Sequence, residues 1–504
     1  MSASQNDIRN LVLNSGLPLR QSSLRTIPEK QAAVWLGEDG TFNIAAPADS
    51  AVLSSFEGET SAFGDGLVRL AGPAGSHNAA ALRGVLPNLQ PRLLGLGTSI
   101  GFGDRLGLAT EGHVRSLQQT LEAHPGAQIS PIFAQQSIRE MERTSREPRE
   151  VLDDATWGAF AAGWTGPVGA DADHLKTTAD IDRCAREGFT FYTIDPGEHV
   201  WDDAATASAA ELEDRLGQLP WDGLETDREE LSSRYAALRL DVGERELTFP
   251  EEETARAAAK YGAAVVHITR MYRHLESLGI PFELEVSVDE TESPTTLLEH
   301  AFMALELKRL GVEWVSLAPR IVGAFEKGID YRGDRAELIT YLKEHAALAR
   351  ALGPYKLSLH SGSDKFSVFG PMAEATAGLV HLKTAGTSYL EALRIMAAER
   401  PARFRDVLTL ARERFETDRR TYQISSELTD VPEADALSDA QLRELLDQDG
   451  GRQILHVTFG SVLDAFGAEL KELLRERHEA HTAGVAAHFR RHLEPFAPHA
   501  DVSG

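Results

Sequence analysis

The chain has 504 residues, 42% of them hydrophobic and 25% charged, with 51 Lys+Arg against 77 Asp+Glu and a formal net charge of -26. That length exceeds one typical domain, and the composition is that of an ordinary soluble globular protein. The acidity argues against nucleic acid or an anionic membrane as partner, because both would be repelled.

At the amino terminus, MSASQNDIRN has no basic region followed by an apolar one, so no secretory signal is expected and the cytoplasm is the expected compartment. Residues 1–90 contain AAVWLGEDGTFNIAA, SAVLSSFEG and GLVRLAGP, which read as short strands between Gly, Pro and Asp turns and suggest a small lid or packing domain. From residue 91 the pattern changes. Short apolar runs stop at charged or hydroxyl clusters in RLLGLGTSIGFGD, ISPIFAQQSIRE, GPVGADADHLK and FTFYTIDPGEH. The same happens in PFELEVSVDE, VEWVSLAPR, YKLSLHSGSDK and LVHLKTAG, and a helix-like stretch usually follows each run. Eight strand–helix units in about 300 residues predict an α/β fold, a (β/α)8 barrel of the TIM type over 91–400. Helices are expected at 113–123, 178–187, 295–310, 335–352 and 388–398 from apolar spacings of three and four. Cys184, the one cysteine, excludes an intramolecular disulfide and a cysteine metal cluster; within DIDRCAREG it reads as a packed or half-exposed thiol. An acidic insertion at about 200–250 precedes a long helix, and an insertion there is expected over the barrel mouth. GAAVVHI near Val265 is among the longest apolar stretches and is too short to span a bilayer. Residues 401–504 read as a helical extension with solvated charged faces.

Residues two apart on a strand share a face. The aliphatic residues Leu284, Val286 and Val288 must pack against helices, which sends Glu283, Glu285, Ser287 and Asp289 inward. The same reasoning turns Ser358, His360, His381 and Lys383 inward, with Phe191, Thr193 and Asp195 on the fourth strand. The third strand is ambiguous: Asp171 and Asp173 oppose Ala172 and His174, yet a turn at its end would present both Asp173 and His174. Burying such charges demands mutual pairing or a metal ion. Imidazoles and carboxylates from different strands suit a divalent cation of the zinc, manganese or nickel type. The alternative is that Lys383 pairs with Glu283 or Glu285 and the histidines are hydrogen-bonded core residues. Gln135, Gln136, Ser137 and Arg139 offer donors for hydroxyls and a carboxylate, or else Ser137 caps a helix. Arg320 and Lys365 read equally as anion contacts or as rim ion pairs.

The residues resemble a known family, the tagaturonate epimerases of hexuronate catabolism. The resemblance lies in GFGDRLGLAT at Gly101, PIFAQQSIREMERT at Pro131, VLDDATWGAF at Val151 and GADADHLK at Gly169. It continues in FTFYTIDP at Phe189, LSLHSGSDKFSVFG at Leu357, HLKTAGTSYLEALR at His381 and ILHVTFGSVL at Ile454, covering roughly residues 91–470. It implies interconversion of D-tagaturonate and D-fructuronate, a small-molecule sugar acid pair, with a divalent metal (zinc, manganese, nickel or cobalt). On that footing His174, His360 and His381 are the expected metal ligands. Asp173 and Glu285 are the expected acid and base, with Asp195 in reserve. Ser137, Arg139 and Lys365 are expected at the substrate carboxylate, and Lys383 at a hydroxyl or an enediolate. Competing readings are a metal-dependent aldolase or a ketose/uronate isomerase on a related sugar acid, and a barrel that binds sugar acids without turning them over.

Overall fold

In the computed structural model the alternating runs close into an eight-stranded parallel barrel. The structure describes residues 5–64, 66–243 and 245–500, so the reading of residues 1–4 lies outside the described part.

An antiparallel sheet comes first: β1 (Arg25–Ile27), β2 (Ala32–Leu36), β3 (Phe42–Pro47), β4 (Glu59–Ala62) and β5 (Leu67–Gly72), in the order β1-β2-β3-β5-β4. Phe42 stacks on Phe56 at 4.9 Å and meets Trp157 of helix Pro148–Ala161 at 5.6 Å. Arg83 pairs with Asp153 of the same helix at 2.8 Å. The sheet therefore packs on the barrel's flank.

The barrel strands are β6 (Ser99–Gly103), β7 (Ser130–Ser137), β8 (Gly169–Leu175) and β9 (Phe191–Ile194). After the hairpin β10 (Arg239–Val242) and β11 (Arg245–Thr248) come β12 (Glu283–Ser287), β13 (Ser316–Ala318), β14 (Lys356–Leu359) and β15 (Val380–Thr384), which pairs back onto β6. Ile100, Phe102, Tyr192, Ile194, Leu284, Val286, Leu357, Leu359, Val380 and Leu382 are buried outward against the helices. Each fully buried aliphatic of this kind contributes about 1.5–3 kcal/mol. Local signals set the helix starts. Thr177 and Thr296 form capping boxes with Asp180 and Glu299, and Asp334 accepts the backbone N–H groups of Ala336 and Glu337.

The described residues of the insertion, 200–243 and 245–250, do not cover the mouth. They pack on the outer helical wall, where Tyr235 and Arg234 donate to Glu306 at 2.9 and 3.0 Å and Arg245 pairs with Glu344. The buried Leu212, Leu216, Leu224 and Leu231 direct the insertion there, since their apolar faces need a partner and the polar mouth offers none. Within the extension, helix His478–Leu493 lies on Thr110–Ala123, with Phe489 4.5 Å from the His113 ring. Gly112 permits this approach, because a Cβ there would sit 2.6 Å from Val485 Cβ. Among the described residues no helix is long and apolar enough to cross a membrane.

Candidate active site

The barrel interior is polar, and register sets the depth of each group. At the amino-terminal end, Glu283 accepts the backbone N–H groups of Leu94 and Gly95 at 3.0 and 2.5 Å. At the level where His381 pairs with Ser99, Lys356 donates to Ser99 Oγ at 2.9 Å and His381 Nδ1 lies 2.9 Å from the same oxygen. Burial pushes Lys356 down to about 8 and His381 down to about 3, so this imidazole is neutral.

Two residues further along β15, Lys383 meets three carboxylates: Asp171 at 2.7 Å, Asp173 at 2.7 Å and Glu285 at 3.0 Å. It also donates to Thr193 Oγ1. Burial opposes its charge, and the three carboxylates outweigh burial and hold the ammonium charged. Burial likewise works against ionised Asp173 and Glu285, and Lys383 keeps both well below the usual range. Burial drives Asp171 up to about 7, with Lys383 opposing the rise and the charges of Asp173 and Glu285 adding to it.

Above this ring two histidines face each other, ring centres 5.1 Å apart. Each has one nitrogen fixed by a carboxylate: His174 Nδ1 by Asp173 at 2.7 Å and His360 Nε2 by Glu285 at 2.6 Å. The remaining nitrogens converge on Asp289 Oδ1, His174 Nε2 at 3.4 Å and His360 Nδ1 at 3.1 Å. Ligating atoms of His174, Asp289 and His360 all lie within 4.8 Å of one another. Burial would discharge both rings, but Asp173, Asp289 and Glu285 raise them, a field that asks for positive charge. Two nitrogens and one oxygen, with carboxylates orienting the histidines from behind, are a donor set that fits a divalent cation. β8 makes this possible: its register shifts between Ala172 and Leu175, and His174 has a φ of 54°, so Asp173 and His174 both reach the mouth.

Two cavities open beside this group. One, of about 280 Å³, is lined by Ser137, Arg139, His174, Lys176, Asp195 and Glu290, among others. The other, of about 150 Å³, is bordered by Asp289, Glu290, Arg320, Lys327, His360 and Tyr422. Ser137 spends its hydroxyl as a helix cap, accepting from Glu140 N at 3.2 Å, and Arg139 pairs with Glu290 at 2.9 Å. Asp195 accepts from Gly197 N at 2.8 Å, and burial raises it above the ordinary carboxylate value.

Two expected residues stand elsewhere. His381 is not with the other two histidines; it lies deeper, on Ser99. Lys365 does not reach the mouth: its ammonium donates to the carbonyls of Glu326, Ile329 and Ser363 at 2.8, 2.5 and 3.0 Å, clamping a loop. Asp289 takes the place expected for His381, and strand alternation had already turned it inward. Lys327 was not read from sequence, since it sits in a loop without periodicity.

A sequence profile of the family described as tagaturonate epimerase matches residues 42–496. A tagaturonate/fructuronate epimerase of Thermotoga maritima is 43% identical over 421 residues, 83% of this chain and 84% of that protein. The native crystal structure of a fructuronate-tagaturonate epimerase from Cohnella laeviribosi superimposes with a TM-score of 0.87 at 33% identity, covering 98% of this chain and 99% of that one. A one-glycerol complex of the same enzyme gives 0.87, 33%, 97% and 98%.

Proposed function

The chain belongs to the tagaturonate epimerase family, and from that premise we propose that it interconverts D-tagaturonate and D-fructuronate with a divalent cation as cofactor. The observation that carries this reading is the convergence of His174, Asp289 and His360 directly above the Lys383 carboxylate ring.

The inverted carbon lies β to the ketone, where simple enolisation has no purchase. Breaking the bond between the α and β carbons, turning the released aldehyde and re-adding it to the other face inverts that carbon with every atom conserved. Held by His174, Asp289 and His360, the cation would supply Lewis-acid polarisation of the ketone oxygen. Glu285 is suited to take the β-hydroxyl proton: Oε1 is fixed on His360 and Lys383, and Oε2 is buried without a hydrogen-bond partner. Asp173 shares the Lys383 ammonium and Asp195 lines the His174 cavity, and these two carboxyl groups are suited to return the proton. Lys383 opposes the negative charge that develops as the bond breaks. Ser137 and Arg139 line the cavity beside His174.

The test is interconversion of tagaturonate followed by NMR in deuterated water, with metal-loaded and chelator-stripped protein side by side. Cleavage and re-addition leave the original hydrogen on the inverted carbon. Deuterium at that carbon would sink the bond-cleavage route, and undiminished turnover after full metal removal would sink the cation.

A further inference from the structure

The cavity of about 150 Å³ is lined by two unlike kinds of group. Asp289 and His360 come from the group suited to a cation. Lys327 and Arg320 line it as well. Lys327 Nζ donates to Ser361 Oγ at 2.6 Å, and the Arg320 guanidinium donates to the carbonyls of Thr291 and Ile321, each at 3.2 Å. These bonds fix both side chains without cancelling their charge. Among the described residues neither has a carboxylate oxygen within 4.0 Å, whereas Arg139 is paired with Glu290 at 2.9 Å and Lys176 with Glu198 at 3.3 Å. Glu290 borders the same cavity, but its charge is met by Arg139. Tyr422 and Gln423 of the carboxyl-terminal extension line it too. Two cations without a carboxylate partner, lining the same small cavity as a cation-binding group, suit a ligand with a carboxylate at one end and ketone or hydroxyl oxygens at the other.

Resting on the function proposed above, we infer that Lys327 and Arg320 grip the substrate carboxylate throughout the cycle and serve as the pivot on which the released aldehyde turns. Cleavage sends the β-hydroxyl proton to the base, leaves the bonding pair on the three-carbon ketone fragment as its enediolate, and makes the β carbon an aldehyde. The aldehyde fragment is the one that keeps the carboxylate, two carbons further on. Anchored there, it can present its other face without leaving. Without the anchor it escapes, the enediolate takes up a proton, and dihydroxyacetone and a three-carbon aldehydic acid accumulate. No electrons are exchanged with any other reagent.

The experiment uses metal-replete parent, Lys327→Met, Lys327→Gln, Arg320→Gln and Lys327→Arg. It measures KM and kcat for tagaturonate and, by NMR, three-carbon products per epimerisation. Loss of one charge-assisted contact is expected to raise KM roughly tenfold to a hundredfold, with three-carbon products appearing in the Met and Gln variants and suppressed again in Lys327→Arg. Should Lys327→Met fail to fold, Lys327→Gln and Arg320→Gln carry the same readouts. KM within twofold of the parent overturns the anchor, and a raised KM with no three-carbon product overturns the pivot. A parent that does not interconvert the two uronates fails the function itself, which is a separate result.

Discussion

His360 Nε2 and Glu285 Oε1 lie 2.6 Å apart, both buried, so one carboxylate fixes an imidazole while its second oxygen, Oε2, is buried without a hydrogen-bond partner. Glu285→Gln keeps the shape but removes the base. It is expected to lower kcat by about 10²–10⁴ and to weaken metal binding by no more than about 10–100-fold. Steady-state kinetics and metal titration separate the two effects. Unchanged kcat would remove Glu285 from the chemistry.

The ligand set is tested by metal content. Ala at His174, Asp289 or His360 is expected to leave the purified protein with far less bound divalent metal than the parent, while His381→Ala keeps it. Retained metal in Asp289→Ala together with loss in His381→Ala would restore the assignment made from sequence alone.

Lys383 is the counter-charge for three buried carboxylates. Lys383→Met strands them and is expected to cost about 3–5 kcal/mol of stability, read as a shifted urea midpoint. A second change, Asp171→Asn, removes one of those charges and is expected to recover part of the loss. A Lys383→Met protein as stable as the parent would contradict the pairing.

Acid should destabilise the fold through its buried neutral histidines. His300 Nδ1 lies 2.9 Å from His345 Nδ1, and Tyr355 OH lies 2.8 Å from His300 Nε2. Burial pushes His300 down to about 3, and His113 and His492 likewise. In the unfolded chain such rings titrate near 6.5. Below that pH the unfolded state takes up protons the folded state refuses, so stability falls as pH drops from 6.5 toward 3, by about 1.4 kcal/mol per unit for each ring. Urea midpoints at pH 7 and pH 5 measure this, and His300→Gln should flatten the slope. Equal slopes would mean that His300 is not held neutral.

Alternation along the strands made the barrel and its inward faces legible, because a one-residue error would bury Glu285 against helices and expose Val286 to the interior. Height along the barrel axis was not legible. His381 and Lys383 share a face, but register places His381 opposite Ser99 and Ser358 and Lys383 opposite Gly101, and no single strand carries that information. Loop residues failed for another reason. Lys365 and Lys327 look alike in sequence, and only the fold turns one onto backbone carbonyls and the other to a cavity. The insertion's length was visible, and its direction was not, because its apolar residues specify burial without naming a partner.

The left-handed turn at His174 puts two successive side chains on one side of β8. Asp173 is thus tethered to the ring it orients by the chain itself, at a local concentration no repacking of distant elements can dilute. Without that turn the strand would keep strict alternation through residues 172–175. Acid and imidazole would then face opposite ways, and the site would lose a ligand or its support without any change in its list of amino acids.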